Sequence, residues 1–432
     1  MNTSDSERIA SYLEEQGFVY EKDREKGDVV ILNTCGVRQS AEDRIYGLIP
    51  RIKRKNPDCQ LVVTGCLSSR QDVIDRVGGK VDLFLPIMEL PGLMERLGYR
   101  TEKKESSTSG TNEYLNIEPK FSSGFRAYIP LGNGCDNFCA YCVVPHARGR
   151  EVYRPASEVL KEAKKVIERG FTDIVVIAQN VNSYTSDLKD NNDLSLYLET
   201  ECPKVDFADI LRVINNIPGK FWLSFATSHP KDMSDKLIRT VAEYSKVAKH
   251  IHLPAQSGDN EVLKNMNRRY TREHYLELIK KIRQHIPYVS ITTDIIVGFP
   301  GETREQFQNT VDLFQQARFD MAYIAQYSPR PGTAAARLED NVPAEEKKAR
   351  EEELMEVLRE TAYENNKVYK GEQVEVMIER QNKKGKWMGR THTNKSVKLT
   401  DTGNKELSPG GFHPVWISDI QDFGLIGQIK NP

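Results

Sequence analysis

Strand-like and helix-like segments alternate through most of this 432-residue chain, which predicts an α/β protein with parallel sheets. Three observations divide it. Two strand–helix units open the chain, six longer βα units follow Phe125, and a run of short strands without helices closes it. The predicted architecture is an N-terminal parallel α/β domain over 1–103, a linker over 104–120, a partial (βα)6 barrel over 121–363 and a small β-barrel over 366–432.

In the first domain DVVILNTC (28–35) and QLVVTGCL (60–67) are apolar runs of strand length, and AEDRIYGLIPRIKRKNP between them has an amphipathic helical period. TEKKESSTSGTNEYLNIEPK is polar and rich in Ser and Thr, the composition of a linker. The barrel strands are FRAYIPLG, TDIVVIAQN, KFWLSFATS, KHIHLPAQSG, VSITTDIIVGFPG and FDMAYIAQYS. Helical stretches such as ASEVLKEAKKVIERG, REHYLELIKKIRQHI and REQFQNTVDLFQQA separate them. Residues 185–206 interrupt the second unit as a surface insertion in which Cys202 is incidental. The charged helix AEEKKAREEELMEVLRETAYENNKVY closes the barrel domain. QVEVMIER, KWMGRTHTNKSVKL and HPVWISDIQDFGLIGQI then supply the strands of the final small barrel.

Composition narrows the classes. A hydrophobic content of 38% supports real cores, and no apolar run approaches the roughly 18 residues of a membrane span. Seven cysteines, three of them clustered, fit metal ligation in a reducing cytosol better than a disulfide framework. A net charge of −1 means that a nucleic-acid partner must be held by local basic patches.

The chemistry-bearing motif is CDNFCAYC, with Cys135, Cys139 and Cys142. Three thiolates so spaced can hold three irons of a cubane cluster and leave the fourth iron open to a small molecule that receives one electron. A Cys3His zinc site completed by His146, or three unrelated buried thiols, are the competing arrangements. In (βα) barrels chemistry sits at the C-terminal strand ends. CDNFCAYC, AQNVNSY, ATSHP, LPAQSG, VGFPGE and YSPRPGT all fall there. Gln179, Asn180 and Asn182 end the second strand, Gln256 and Ser257 the fourth, and Asp294 lies on the fifth. Each is a candidate for cofactor or substrate contact, or a satisfied polar residue bridging loops. Arg148 and Arg150 could contact RNA phosphate or a cofactor carboxylate. Arg380, Lys383, Lys384, Lys386 and Arg390, with Trp387 among them, mark a basic and aromatic face suited to RNA, or a solvated lysine-rich turn.

CDNFCAYCVVPHARGRE, QNVNSY, SHP, LPAQSG, TDIIVGFPGET and YSPRPGTAA together resemble the radical S-adenosylmethionine (SAM) methylthiotransferases, and among them the tRNA-modifying MiaB branch. The resemblance spans essentially the whole chain: a methylthiotransferase N-terminal domain, a radical SAM core and a C-terminal TRAM domain. It implies that Cys135, Cys139 and Cys142 hold a [4Fe-4S] cluster whose open iron takes the methionine part of S-adenosylmethionine. A deoxyadenosyl radical would then take hydrogen from C2 of an isopentenylated adenine next to the anticodon. Sulfur from an auxiliary [4Fe-4S] cluster, methylated by a second S-adenosylmethionine, would complete a 2-methylthio product. TRAM implies tRNA binding. The expected partners are tRNA and an electron donor such as a flavodoxin or ferredoxin, with no membrane, for a cytoplasmic monomer.

One departure stands out. In this family three cysteines of the N-terminal domain carry the auxiliary cluster. Cys35 and Cys66 match two of them. The third stands in a GCQMN-like motif, which this sequence joins only at Met1-Asn2-Thr3-Ser4-Asp5-Ser6-Glu7, so that the cysteine would fall two residues before Met1. The family's first strand is absent as well. The expectation is an internal start, with in-frame upstream codons giving a strand ending in Gly-Cys-Gln; the alternative is a short chain whose sulfur-donating cluster is weak or missing. Cys59 lies seven residues of largely extended chain, over ~20 Å, from Cys66. It is expected to be a half-buried thiol rather than a substitute ligand. Runner-up substrates are threonylcarbamoyl-adenosine in tRNA or a ribosomal-protein aspartate, and the non-enzymatic alternative is an iron–sulfur RNA-binding protein that does not thiolate.

Overall fold

The computed structural model describes residues 1–36, 39–99, 113–187, 204–403 and 405–429. Cys202 and most of the expected insertion and linker lie outside them. The described chain forms two compact units. One comprises Met1–Ser122, Pro130–Arg154 and Ser328–Leu338; the other comprises Ser123–Ile129, Pro155–Tyr327 and Glu339–Pro432.

The first unit is built on a parallel sheet, β1 (Val29–Thr34), β2 (Gln60–Gly65) and β3 (Leu83–Leu85), in that order. Alternation along β2 sends Leu61 and Val63 to one face and Val62 to the other. Leu61 and Val63 pack with Ile45, Ile49 and Ile52 of the helix Gln39–Lys55, whose spacing is one apolar stripe. Val62 packs with Ile9 and Tyr12 of the helix Asn2–Glu15. Tyr114 and Leu115 are buried in that second cluster, and Arg8 donates to the Leu115 carbonyl. The expected linker is therefore corrected at its C-terminal end: two large apolar side chains gain more from the core than from solvent.

From β4 (Arg126–Pro130) the chain enters β5 (Gly132–Asn133), makes the cysteine loop, and returns through β6 (Val152–Tyr153), antiparallel to β5. This ladder ties the loop at its base.

In the second unit the barrel continues with β7 (Asp173–Ile177), a short antiparallel pair β8 (Thr185–Asp187) and β9 (Lys204–Asp206), β10 (Trp222–Ala226), β11 (His250–His252), β12 (Ser290–Val297) and β13 (Met321–Gln326). Two three-stranded sheets, β10-β7-β4 and β11-β12-β13, join through a bridge from Leu223 to Val247, giving the six strands in sequence order. Helices Ala156–Glu168, Phe207–Asn216, Asp235–Glu243, Arg272–His285 and Arg304–Ala317 form the connections. Asp206 and Thr303 close capping boxes at two of their starts. The helix Ala344–Asn366 then packs on β13.

Strands β14 (Gln373–Gln381), β15 (Trp387–Thr391), β16 (Ser396–Asp401), β17 (Phe412–Gln421) and β18 (Gly424–Gln428) close a five-stranded barrel in the order β14-β15-β16-β18-β17. Its core is Val376, Ile378, Val397, Leu399, Val415 and Ile417. This barrel docks at the N-terminal strand ends of the (βα) barrel. The fully buried Asp173 accepts from Arg126 and Arg390, and Glu379 accepts from Arg126 and forms an ion pair with Arg390 at 3.2 Å. Lys395 donates to Asp320 at 2.5 Å, and the Trp222 ring meets Phe412 edge-on at 5.0 Å. Arg390 is thereby corrected from an RNA contact to a buried ion-pair partner, because an acidic strand start beneath it neutralises its charge.

Candidate active site

The cysteine loop begins where β5 ends. Gly134 has φ 81°, and a Cβ there would stand 2.0 Å from the Arg150 carbonyl, so the loop's two limbs approach only because this residue is glycine. The Cys135 amide donates to the Gly149 carbonyl and that of Cys142 to Cys139, which folds the three thiols into one turn. Asn137 Nδ2 and the Val144 amide lie 3.5 Å from the sulfurs of Cys135 and Cys142. Desolvation, reinforced by Cys139, pushes the Cys142 thiol up to about 12, and burial also raises Cys135. Among the described residues no three His, Cys, Asp or Glu side chains converge on one ion. The loop nevertheless suits a cubane. Burial that raises the Cys135 and Cys142 thiols is relieved when they lose their protons to iron, and the N–H groups aimed at those two sulfurs are contacts that tune such clusters. Phe138 sits at the loop's tip with φ 46° and 42% exposure, under the Arg150 guanidinium. Arg150 itself pairs with Asp136 at 2.8 Å.

Cys35 and Cys66 follow directly on β1 and β2, whose last residues Thr34 and Gly65 are register partners. The Cys66 amide donates to the Thr34 carbonyl, and Gly36 packs between Cys66 and Val143. Both belong to the compact unit that holds the cysteine loop, and Cys66 stands close enough to bear on the Cys142 ionisation. The start of the helix Asn2–Glu15 lies beside the end of β1, where Asn2 Nδ2 donates to the Thr34 carbonyl at 3.1 Å, one residue before Cys35. Cys59 is buried in the hydrophobic cluster at the opposite end of β2, as expected for a packing thiol. All the described cysteines are free of disulfides.

Arg148, read from sequence as a phosphate or carboxylate contact, is buried instead. It donates to Asp5 at 2.6 Å and to Asn133 at 3.0 Å. Sequence reasoning missed Asp5, which looks like an ordinary first-turn acid. It also missed Arg330 of YSPRPGT, which is buried, donates to Gln39 and lies in the field of Cys35.

The strand-end residues of the second unit divide by their partners. Asn182 donates to the His229 carbonyl and accepts from the His229 amide, each at 2.9 Å. Asn180 donates to Asp232 at 2.8 Å, and Ser257 Oγ accepts from the Asp259 amide. These three bridge loops through those bonds, the arrangement that the sequence left open beside cofactor contact. Gln179 keeps its amide oxygen buried without a partner, an orphaned acceptor that suits a bound cofactor. Gln256 has φ 69°, held because Arg268 and Tyr270 clamp the Pro254 carbonyl, Tyr270 the Ala255 carbonyl and Tyr275 the Leu253 carbonyl. Thr227, just past β10, has φ 74° although it is β-branched. Left-handed non-glycine residues at two neighbouring strand ends are the strained backbone that functional sites retain. Asp294 accepts from His252 Nε2 at 3.3 Å.

On the closing barrel Arg380, Lys383, Lys384 and Lys386 are exposed around the β14–β15 turn, where Asn382 Oδ1 accepts from the amides of Lys384 and Lys386. Trp387 is half-buried against the barrel core, which limits it as a stacking platform.

Residues 129–314 match the Radical SAM superfamily model, 1–85 the uncharacterized protein family UPF0004, and 367–430 the TRAM domain. Among solved structures the radical S-adenosylmethionine methyltransferase TsrM from Kitasatospora setae is similar, with TM-score 0.53, 16% identity, and coverage of 78% of this chain and 72% of that one. That likeness shows the fold. Enzymes of the radical SAM class are what this loop and barrel define. The tRNA-2-methylthio-N(6)-dimethylallyladenosine synthase of Clostridium botulinum (strain Langeland) is 39% identical over 99% of this chain and 94% of its own length. Those of Carboxydothermus hydrogenoformans (39%; 94% and 92%) and Thermoanaerobacter pseudethanolicus (39%; 99% and 90%) are similar to the same degree. The chain belongs to this synthase family.

Proposed function

We propose that this chain adds a methylthio group to C2 of N6-dimethylallyladenosine beside the tRNA anticodon. The single observation that carries the reading is that Gly36, next to Cys35, lies against Cys66 on one side and against Val143, next to Cys142, on the other, within one compact unit. A sulfur-donating centre and a radical-generating centre must serve the same carbon, and cysteines proposed for both belong to one compact unit, which supports the reading. The threonylcarbamoyl and ribosomal-protein alternatives are not favoured, since the relatives named above all carry the dimethylallyladenosine name.

Cys135, Cys139 and Cys142 would hold the [4Fe-4S] cluster that, when bound, supplies one electron to S-adenosylmethionine. Cys35 and Cys66 would give two ligands to a second, auxiliary [4Fe-4S] cluster. Gln179 and Gln256 would orient the cofactor from two strand ends, the first through its orphaned oxygen and the second from a backbone that the Tyr270, Arg268 and Tyr275 clamps hold ready. Arg380, Lys383, Lys384 and Lys386 would meet tRNA phosphates. A flavodoxin or ferredoxin is the expected reductant, and the enzyme is expected to act as a cytoplasmic monomer. No helix among the described residues is long and apolar enough to cross a membrane.

Anaerobic reconstitution, iron and sulfide counting, and mass analysis of tRNA nucleosides test this. About eight irons per chain with a 2-methylthio product is the expected result, whereas about four irons with S-adenosylmethionine cleavage alone would leave an enzyme that does not thiolate. Cys142→Ser should lower the count by about four, and Cys59→Ser should leave it unchanged.

A further inference from the structure

The inner wall of the (βα) barrel carries a polar chain whose direction the chemistry fixes. On β13 Gln326 reaches out to Glu351 of the helix Ala344–Asn366 and Ala322 is buried, so the alternate residues Met321, Tyr323 and Ala325 face inward. Their register partners are Thr292, Asp294 and Ile296 on β12. His252 on β11 shares this wall, since its ring meets Tyr323 edge-on at 6.1 Å.

Asp294, ionised, only accepts, so His252 Nε2 carries the proton and donates to it at 3.3 Å. In the neutral imidazole His252 Nδ1 is then an acceptor for the Thr292 hydroxyl at 2.9 Å. Thr292 Oγ1 in turn accepts from His250 Nε2 at 3.0 Å. Every donor in this chain is spent internally. What remains is acceptor capacity on the Asp294 carboxylate, which is 39% exposed, beside a Tyr323 side chain that is 53% exposed on an inner wall. A half-exposed tyrosine inside a barrel is unusual for a residue with only packing to do.

We propose that Asp294 and Tyr323 form the seat of the target nucleobase, and that it is built for an adenine bearing an alkyl group on N6; this rests on the function proposed above. A purine stacked on the Tyr323 ring lies one strand spacing, about 4.8 Å, from the Asp294 row. An N6-alkylated adenine keeps one N6–H, which the carboxylate accepts. The next register pair toward the strand ends is Ile296 and Ala325, an apolar step where the alkyl group would lie. The adenine of S-adenosylmethionine carries no such group and leaves that step unused, so the wall fits the RNA base better than the cofactor. His252 is a positioning residue: it holds the carboxylate and does not itself meet the base.

The test is equilibrium binding to the reconstituted full-length holoprotein, independent of turnover. The probes are an anticodon stem–loop carrying N6-dimethylallyladenosine, the same stem–loop with plain adenosine, and S-adenosylmethionine. The wild type should prefer the alkylated hairpin by on the order of tenfold. Tyr323→Leu and Asp294→Ala should weaken both hairpins by on the order of tenfold while cofactor affinity stays within about twofold, Tyr323→Phe should bind both as the wild type does, and Ala325→Asp, on the apolar step, should erase the preference. Thermal unfolding of each variant controls for folding, and Tyr323→Leu serves if Asp294→Ala unfolds. Undiminished hairpin binding by Tyr323→Leu or Asp294→Ala, an intact preference in Ala325→Asp, or a loss of cofactor affinity instead, would overturn the assignment. Failure of methylthio transfer by a wild type that shows the preference would sink the function and leave the seat standing.

Discussion

Arg148 and Asp5 form a buried ion pair, 2.6 Å from nitrogen to oxygen, that joins the end of the cysteine loop to the first helix. Asn133 adds a second acceptor for the guanidinium and Asn2 a third, at 3.3 Å. Removing one partner strands the other charge in a desolvated site. Asp5→Asn is expected to cost about 3–5 kcal/mol in denaturant unfolding. The double variant Asp5→Asn/Arg148→Met should recover part of that loss, and additive losses would show that the two residues act separately.

Thr227 is held left-handed at the end of β10. Glycine relieves that strain at some cost in chain entropy, so Thr227→Gly should be at least as stable as wild type, by up to about 1 kcal/mol. Gln256→Gly should likewise fold, yet bind S-adenosylmethionine more weakly, which calorimetry would read. An unchanged cofactor affinity would remove Gln256 from the site.

Two histidines make stability pH-dependent. Burial, with His252, Arg390 and Lys395 nearby, lowers His250 to about 3. Burial and Lys249, then Arg390, outweigh the backbone contact and Glu375 to lower His392 to about 4. Both lie below the ordinary value near 6.5. The unfolded chain therefore binds protons below about pH 6.5 that the folded chain refuses, and stability falls as pH drops through that window. Urea unfolding at pH 7 and pH 5 should differ by on the order of 1–2 kcal/mol per histidine, in favour of pH 7. His392→Gln should flatten the dependence, and a profile that rises toward pH 5 would contradict the assignment.

Basic residues of the closing barrel separate by burial. Lys383→Ala, Lys384→Ala and Lys386→Ala should each weaken tRNA binding at unchanged stability, lowering the salt slope by about 1 per lost phosphate contact. Arg390→Ala should instead lower stability by about 3 kcal/mol, because it leaves the buried Asp173 with Arg126 as its remaining cationic partner. Filter binding over a salt series and thermal unfolding distinguish the two.

Much of this protein was legible along the chain. Strand and helix periods placed the six barrel strands and the closing barrel, since apolar spacing is set by local geometry. Local spacing also marked Cys135, Cys139 and Cys142, whose loop ties itself within twenty residues. Cys35 and Cys66, each just past a strand, were marked by the family resemblance.

What the sequence could not carry is which polar group meets which. Asn180 and Asn182 look available for a ligand in one dimension, and the fold spends them on Asp232 and His229. Arg390 sits in a basic run, yet docking delivers it to Asp173, 217 residues away. Tyr114 and Leu115 lie in polar company and still enter a core. By itself the sequence determined the elements and the cysteine loop, because period and spacing are local. Tertiary structure alone decided which charges are neutralised, which amides stay unpartnered and which backbone is strained, because each depends on residues far apart in the chain.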